Sequence, residues 1–176
     1  MRDSQVSHFY VTTPLCRVAV VFGKDPFSLK RFDLFADQDR LIEALDTGPE
    51  VDIFDHPAAK LIMSNLDAFF AGRPKSPPWD IFSFEGLTSL QIKVLHAAAQ
   101  IAFGTVTTYS RLAEMAEVPG AARFVGTALS RNPFPILIPC HRVIRKDGGI
   151  GGFSAGADIK LELIEFEQKV LSLQLP

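Results

Sequence analysis

Residues 73–80, RPKSPPWD, place three prolines in eight positions. Each proline lacks a backbone N–H and clashes with the turn before it, so no helix continues through this stretch. It is a linker or strap, and it divides the 176-residue chain into 1–79 and 80–176. A chain of this length supports one good core or two small lobes that share an interface. The charge is uneven across the division. Residues 1–85 carry nine basic and thirteen acidic residues, whereas residues 86–153 carry seven basic and three acidic. The second region could meet a polyanion, or could simply be an unevenly charged solvated surface.

Before the strap, HFYVTTPLCRVAVVFG and SLKRFDLFA read as two β runs, with a turn at GKDPF. Two helical pieces follow, near DQDRLIEAL and in HPAAKLIMSNLDAFFAG. Cys16 reads as a small buried residue on a strand. After the strap, TSLQIKVLHAAAQIA carries Leu90, Val94, Ala98 and Ile101 at helical spacing, with Thr88 or Ser89 as its cap. TTYSRLAEMAE is a second short helix, VPG a turn, and AARFVGTALSRN a third helix. Two helices joined by a tight turn outline a helix-turn-helix. In the third helix Ala122, Val125, Ala128 and Leu129 share one face. Arg123, Thr127 and Ser130 lie on the other, facing solvent or a partner.

ILIPCHRVI, residues 136–144, sets a thiol, an imidazole and a guanidinium at the end of what reads as a buried strand. A thiol becomes a nucleophile when a base or a positive field stabilises its thiolate. His141 and Arg142 follow Cys140 directly, yet neighbours on extended backbone point to opposite faces. His141 must therefore act through a bend at Pro139 or through a bridging water. On the final helix, ADIKLELIEFEQKVLSL, Glu167 falls among the apolar positions Leu163, Phe166, Val170 and Leu171. A carboxylate there needs a partner, and His141 is the candidate, giving a Cys-His-carboxylate relay. The pair alone more readily describes a structural cysteine beside an exposed histidine. Between them lies RKDGGIGGFSAG, a loop with five glycines in twelve residues. A nucleophile beside a nucleic-acid reader suggests chemistry on a base lifted from the stack, with Arg123 available to hold the gap.

PCHRVI preceded by NPFPILI, with TYSRLA and AARFVGTA upstream, resembles the O6-alkylguanine-DNA alkyltransferases from about Leu87 to Glu167. The resemblance implies an α+β fold: an N-terminal lobe with an antiparallel sheet of ribonuclease-H-like outline (1–79), then a mainly helical domain with the helix-turn-helix and active site (80–176). It implies direct-reversal repair, in which Cys140 takes the alkyl group irreversibly, once per molecule. His141, through a water, and Glu167 would make the thiolate. Asn132 would brace the site between helix and active-site strand. Tyr109 would press the target nucleotide's phosphate, contact the guanine and donate a proton to it. Arg123 would replace the extruded base, with Thr127 and Ser130 beside it on the DNA, the helix-turn-helix lying in the minor groove. The carbonyls of Cys140 and Val143 and the backbone of Ser154 would read the guanine edge. Phe153 stands where the family commonly has Tyr, so one hydroxyl contact is absent from the pocket wall.

The implied partner is double-stranded DNA carrying O6-alkylguanine, with O4-alkylthymine as a further lesion; the implied protein is a monomer needing no metal or cofactor. MRDSQVSHFY lacks the apolar core of a signal peptide and no run approaches a membrane span. The expected location is cytoplasmic, on the nucleoid in a prokaryote. Two other readings compete. A lesion-binding relative would lack the acceptor, but Cys140 is present. A Cys-His-Glu hydrolase could draw an oxyanion hole from GGIGG, but would leave Arg123 and Tyr109 unexplained.

Overall fold

The computed structural model describes residues 6–24, 27–35 and 57–174. The helix expected near DQDRLIEAL lies outside the described residues. The chain divides into two compact units, Met1–Glu85 and Gly86–Pro176.

Among the described residues the first unit holds a three-stranded antiparallel sheet in the order β1-β2-β3, formed by Val6–Thr12, Arg17–Lys24 and Phe27–Phe35. The sequence reading had two β runs here. The first run is two strands, because Thr13 turns the chain: its hydroxyl donates to the Cys16 carbonyl at 2.6 Å and accepts from the Cys16 N–H at 3.0 Å. Cys16 is buried, as expected, but closes this turn instead of lying on a strand. Pairing then runs from Thr12 against Arg17 to Val6 against Gly23. Helix α1, Pro57–Phe70, opens on a proline, whose missing N–H costs nothing at a first helical position. Ala59, Ile62, Leu66 and Phe69 recur at three- and four-residue intervals, and all are buried. The proline strap ends in Trp79, Phe82 and Phe84, which pack edge to face or tilted with ring centroids 5.5 to 6.1 Å apart. Ser83 N–H donates to the Leu29 carbonyl on β3 at 2.8 Å.

The second unit is mainly helical: α2 is Ser89–Ala98, α3 is Tyr109–Met115, α4 is Ala122–Ser130 and α5 is Ala157–Gln174. Thr88 caps α2 in a reciprocal capping box with Gln91. Val94, Ala98 and Ile101 of the expected stripe are buried, with Gln91, Leu95 and Ala97 beside them, while Leu90 is 43% exposed. Thr108 caps α3, accepting from Arg111 N–H at 3.2 Å. Helices α3 and α4 form the expected helix-turn-helix, with Val125, Ala128 and Leu129 inward and Arg123, Thr127 and Ser130 exposed.

One expectation fails in an informative way. Ile136–Ile138 is no strand but a turn, in which Ile138 N–H returns to the Phe134 carbonyl at 2.8 Å and Ile136 adopts φ 72°. A β-branched residue in the left-handed region is strained, and such strain persists only where surrounding contacts enforce it. The chain then enters a 3-10 turn, Cys140–Arg142, with Pro139 at its start. Strand character is confined to β5, Val143–Ile144, which pairs in parallel with β4, Thr107–Thr108. That short ladder sets Tyr109, the next residue after β4, beside the end of the cysteine turn.

Candidate active site

The 3-10 turn resolves the problem of adjacent residues facing apart. Its tight winding lets Cys140, His141 and Arg142 all bury their side chains in one region. Asn132, just past α4, holds the turn in place. Its amide nitrogen donates to the Ile138 carbonyl at 2.9 Å and reaches Cys140 Sγ at 3.0 Å, while its oxygen accepts from Phe134 N–H at 3.0 Å. It braces a turn, where the sequence suggested a strand.

Behind the thiol, His141 Nε2 lies 2.8 Å from Glu167 Oε1. Glu167 is shared. Arg142 Nε donates to both carboxylate oxygens, at 3.0 and 2.9 Å, and Nη2 adds a third bond at 2.9 Å. Arg142 Nη1 donates to the Ile101 carbonyl at 2.6 Å, and its guanidinium lies over the Phe103 ring. Gly104 N–H donates to Glu167 Oε2 at 2.8 Å. Gly104 has φ 74°, and a Cβ there would stand 2.8 Å from Leu171 Cδ2. Only glycine brings this amide to the carboxylate without strain. Burial opposes charge on Glu167, but His141 and Arg142 together hold its carboxyl below the usual carboxylate range. Burial pushes His141 down despite the pull of Glu167, so the imidazole rests neutral. Burial likewise pushes the Cys140 thiol up, against the lowering influence of Asn132 and Lys160, so the resting nucleophile keeps its proton.

In front of the thiol is a cavity of about 300 Å³ lined by Tyr109, Ser130, Cys140, Phe153 and Ser154, together with Leu129 and backbone of both helix and loop. Mostly apolar walls with a few convergent polar groups suit a flat, partly polar ligand. Tyr109 is packed between two glycines. A Cβ at Gly126 would touch its ring at 3.7 Å, and one at Gly151 (φ 74°) would lie 2.6 Å from its hydroxyl oxygen. The glycine loop thus closes directly onto the tyrosine. Burial, then the proximity of Cys140, raises the Tyr109 pKa, keeping its hydroxyl protonated.

The structure therefore brings Tyr109, Ser130, Cys140, Phe153 and Ser154 to one cavity, with Asn132, His141 and Glu167 behind it. Arg123 and Thr127 stand apart on the outer face of α4, joined by a bond from Thr127 Oγ1 to the Arg123 carbonyl at 3.2 Å. The Val143 carbonyl already accepts from Lys160 Nζ at 2.6 Å, which leaves it one lone pair. The loop amides invoked for an oxyanion hole are partly engaged: Gly148 N–H donates to the Arg145 carbonyl and Gly149 N–H to Asp147 Oδ1. Two participants escaped the sequence reading. Arg142, named in the sequence but given no partner, binds both oxygens of Glu167 alongside the expected His141. Lys160 is 1% exposed at the edge of the site. A signal for it existed, since Lys160, Leu163, Ile164 and Glu167 follow the i, i+3, i+4, i+7 spacing of one helical face.

Comparison with known proteins supplies a family. Residues 89–169 match the family described as 6-O-methylguanine DNA methyltransferase, DNA binding domain. A methylated-DNA–protein-cysteine methyltransferase of Methanothermobacter thermautotrophicus is 40% identical over 110 residues, 62% of this chain and 61% of that protein. The match to the Mycobacterium leprae protein of the same name, 42% identical, spans 63% of its length; the chain thus spans about three fifths of these relatives. The protein so named from Methanosarcina acetivorans is 37% identical over 126 residues, 72% of this chain and 77% of the relative. Among solved structures, Mycobacterium tuberculosis OGT in complex with DNA superposes with a TM-score of 0.71 at 27% identity, covering 93% of this chain and 94% of that one. The α+β fold accords with these likenesses, and the chain belongs to the methylated-DNA–protein-cysteine methyltransferase family.

Proposed function

We propose that this protein repairs DNA by direct reversal, moving an alkyl group from O6 of guanine to Cys140. The observation that carries the reading is a buried, Asn132-bonded thiol at the base of a nucleobase-sized cavity, backed by a His-Glu pair. Guanine enters the cavity only after leaving the helical stack. Exposed Arg123 on α4 fills the gap it leaves, with Thr127 and Ser130 against the DNA backbone in the minor groove. Ser154 and the carbonyls of Cys140 and Val143 read the base edge, and Phe153 walls it.

The thiol must lose its proton at the moment of reaction. That proton passes through a bridging water to neutral His141, and Glu167 stabilises the imidazolium formed. Sulfur then attacks the alkyl carbon. The S–C bond forms, the C–O6 bond breaks, and the electron pair leaves on guanine, which takes a proton from Tyr109. The thioether has no reverse path, so each molecule acts once. The chemistry calls on no metal or cofactor, and the same pocket would admit O4-alkylthymine. A monomer acting on chromosomal DNA, in the cytoplasm or nucleoid, fits this reading.

The test is intact-protein mass spectrometry after incubation with an O6-methylguanine duplex, followed by peptide mapping. One methyl group on Cys140 is expected. Cys140→Ala should abolish transfer while retaining affinity for the alkylated duplex, because the thiol reacts while other groups bind. No mass change in folded, reduced protein, or a methyl on another residue, would overturn the proposal.

A further inference from the structure

The cations around the thiol are not equivalent. Arg142 is committed to Glu167 by three hydrogen bonds, so this pair carries no net charge. His141 beside them is neutral at rest. Arg145, which also acts on Tyr109, is paired with Asp147, and a further cation is Lys160, on the first turn of α5. It is 1% exposed, and among the described residues no carboxylate lies within ion-pair distance of it. Its Nζ donates to the carbonyls of Val143 at 2.6 Å and Gly152 at 3.4 Å, and lies 5.9 Å from the centre of the Tyr109 ring. Two carbonyls and a ring face solvate an ammonium only in part, and a buried unpaired cation is costly. The site at rest therefore holds one surplus positive charge. Release of the Cys140 proton to solvent brings it to zero.

We propose that Lys160 is the fixed counter-charge of the Cys140 thiolate: it makes the buried sulfur ionisable during the reaction and positions the pocket wall through Val143 and Gly152. Several groups face this region: Cys140 from the 3-10 turn, Tyr109 from α3, Arg145 from the loop, paired with Asp147 at 2.8 Å, and His141, Arg142 and Glu167 in the layer behind. Of these, Cys140 is the first to become negative, since Tyr109 gives up its proton only as guanine leaves. The coupling is mutual: burial lowers the Lys160 pKa and raises that of Cys140, and each group partly offsets the shift of the other. The inference rests on the alkyl-transfer reading for its purpose, but its test needs no DNA.

The experiment is the pH dependence of Cys140 alkylation by iodoacetamide, followed on the Cys140 peptide, in wild-type protein and in Lys160→Gln and Lys160→Met. The midpoint should move upward in both variants, so that the rate at neutral pH falls at least tenfold. A folded variant with an unshifted midpoint would make Lys160 a mere tether for the glycine loop and overturn the proposal. If both variants fail to fold, the reciprocal titration decides. The Lys160 ammonium, followed by carbon NMR at Cε, should lose its proton at lower pH in Cys140→Ser than in wild type. Equal midpoints would overturn the assignment. Either result is independent of the methyl-transfer assay, so failure of one leaves the other standing.

Discussion

In β2, Val18, Ala19, Val20 and Val21 are successive, apolar and almost wholly buried; in α5, the almost wholly buried positions include Lys160 and Glu167 alongside Leu163. Both interiors are closed to water, but they are held together differently. The sheet satisfies its backbone through regular ladders and stabilises itself by apolar burial, which is non-directional and tolerant of detail. The second unit buries His141, Arg142, Lys160 and Glu167, whose desolvation is offset only when every partner is in place. One region is stable because of what it excludes, the other only when its internal charges balance.

The largest expected effect breaks that balance. Arg142→Met removes the fork from Glu167 and the donor from the Ile101 carbonyl, leaving a buried charge short of partners. The expected loss is about 3–5 kcal/mol in urea unfolding. Leu29→Ala in the sheet, at a position with no exposed surface, should cost about 2–5 kcal/mol through a cavity. The magnitudes overlap, so the discriminating measurement is a second substitution. Adding Glu167→Leu to Arg142→Met should recover much of the loss, because an apolar pair replaces an orphaned charge. A double variant as unstable as the single one would mean that packing, not charge balance, governs the second unit.

Acid should sharpen the same contrast with a smaller effect. The folded pKa values of His141 and Glu167 both lie below their ordinary values of 6.5 and 4.5. Between folded and ordinary values, the unfolded chain binds a proton that the folded chain does not. Stability therefore rises with pH across each window and is lost as pH falls. The loss begins through His141 below about pH 6.5 and deepens through Glu167 below about pH 4.5. Amide hydrogen exchange, corrected for its intrinsic pH dependence, should show protection around residues 140–144 and 160–167 falling before that of β2. Simultaneous loss in both regions would contradict a site-specific origin.

What could be read beforehand follows the same division. Local pattern located α1, and spacing together with the VPG turn located the helix-turn-helix, since burial of one helical face repeats regularly in sequence. Glu167 announced itself as a carboxylate on an apolar stripe, and Lys160 stands one further step along the same stripe. The cysteine segment was harder. An apolar run of Ile136, Leu137 and Ile138, β-branched at two of three positions, is consistent with a buried strand. Its true form depends on Ile136 at positive φ and on Asn132, which bonds to three separate groups from outside the run. Nor does sequence show that the Arg142 fork would take both oxygens of Glu167, twenty-five positions away. Regular structure follows from local pattern; a buried polar site follows from partners that only the fold brings together.

Helix α2 allows the smallest test of this distinction, because periodicity and local hydrogen bonding disagree there. Spacing assigns Leu90 to the apolar face with Val94 and Ala98, yet Leu90 is 43% exposed and polar Gln91 is buried. The capping box satisfies the polar groups of Gln91. Gln91 Oε1 accepts from Thr88 N–H at 2.9 Å, and Gln91 N–H donates to Thr88 Oγ1 at 3.3 Å. Replacing Leu90 with Lys should leave unfolding free energy unchanged within about 0.5 kcal/mol, as for an ordinary surface position. Gln91→Leu, which adds apolar surface at a buried site, should nevertheless destabilise by about 0.5–2 kcal/mol through loss of the cap. The reverse order of effects would show that apolar periodicity outweighs the cap at the start of α2.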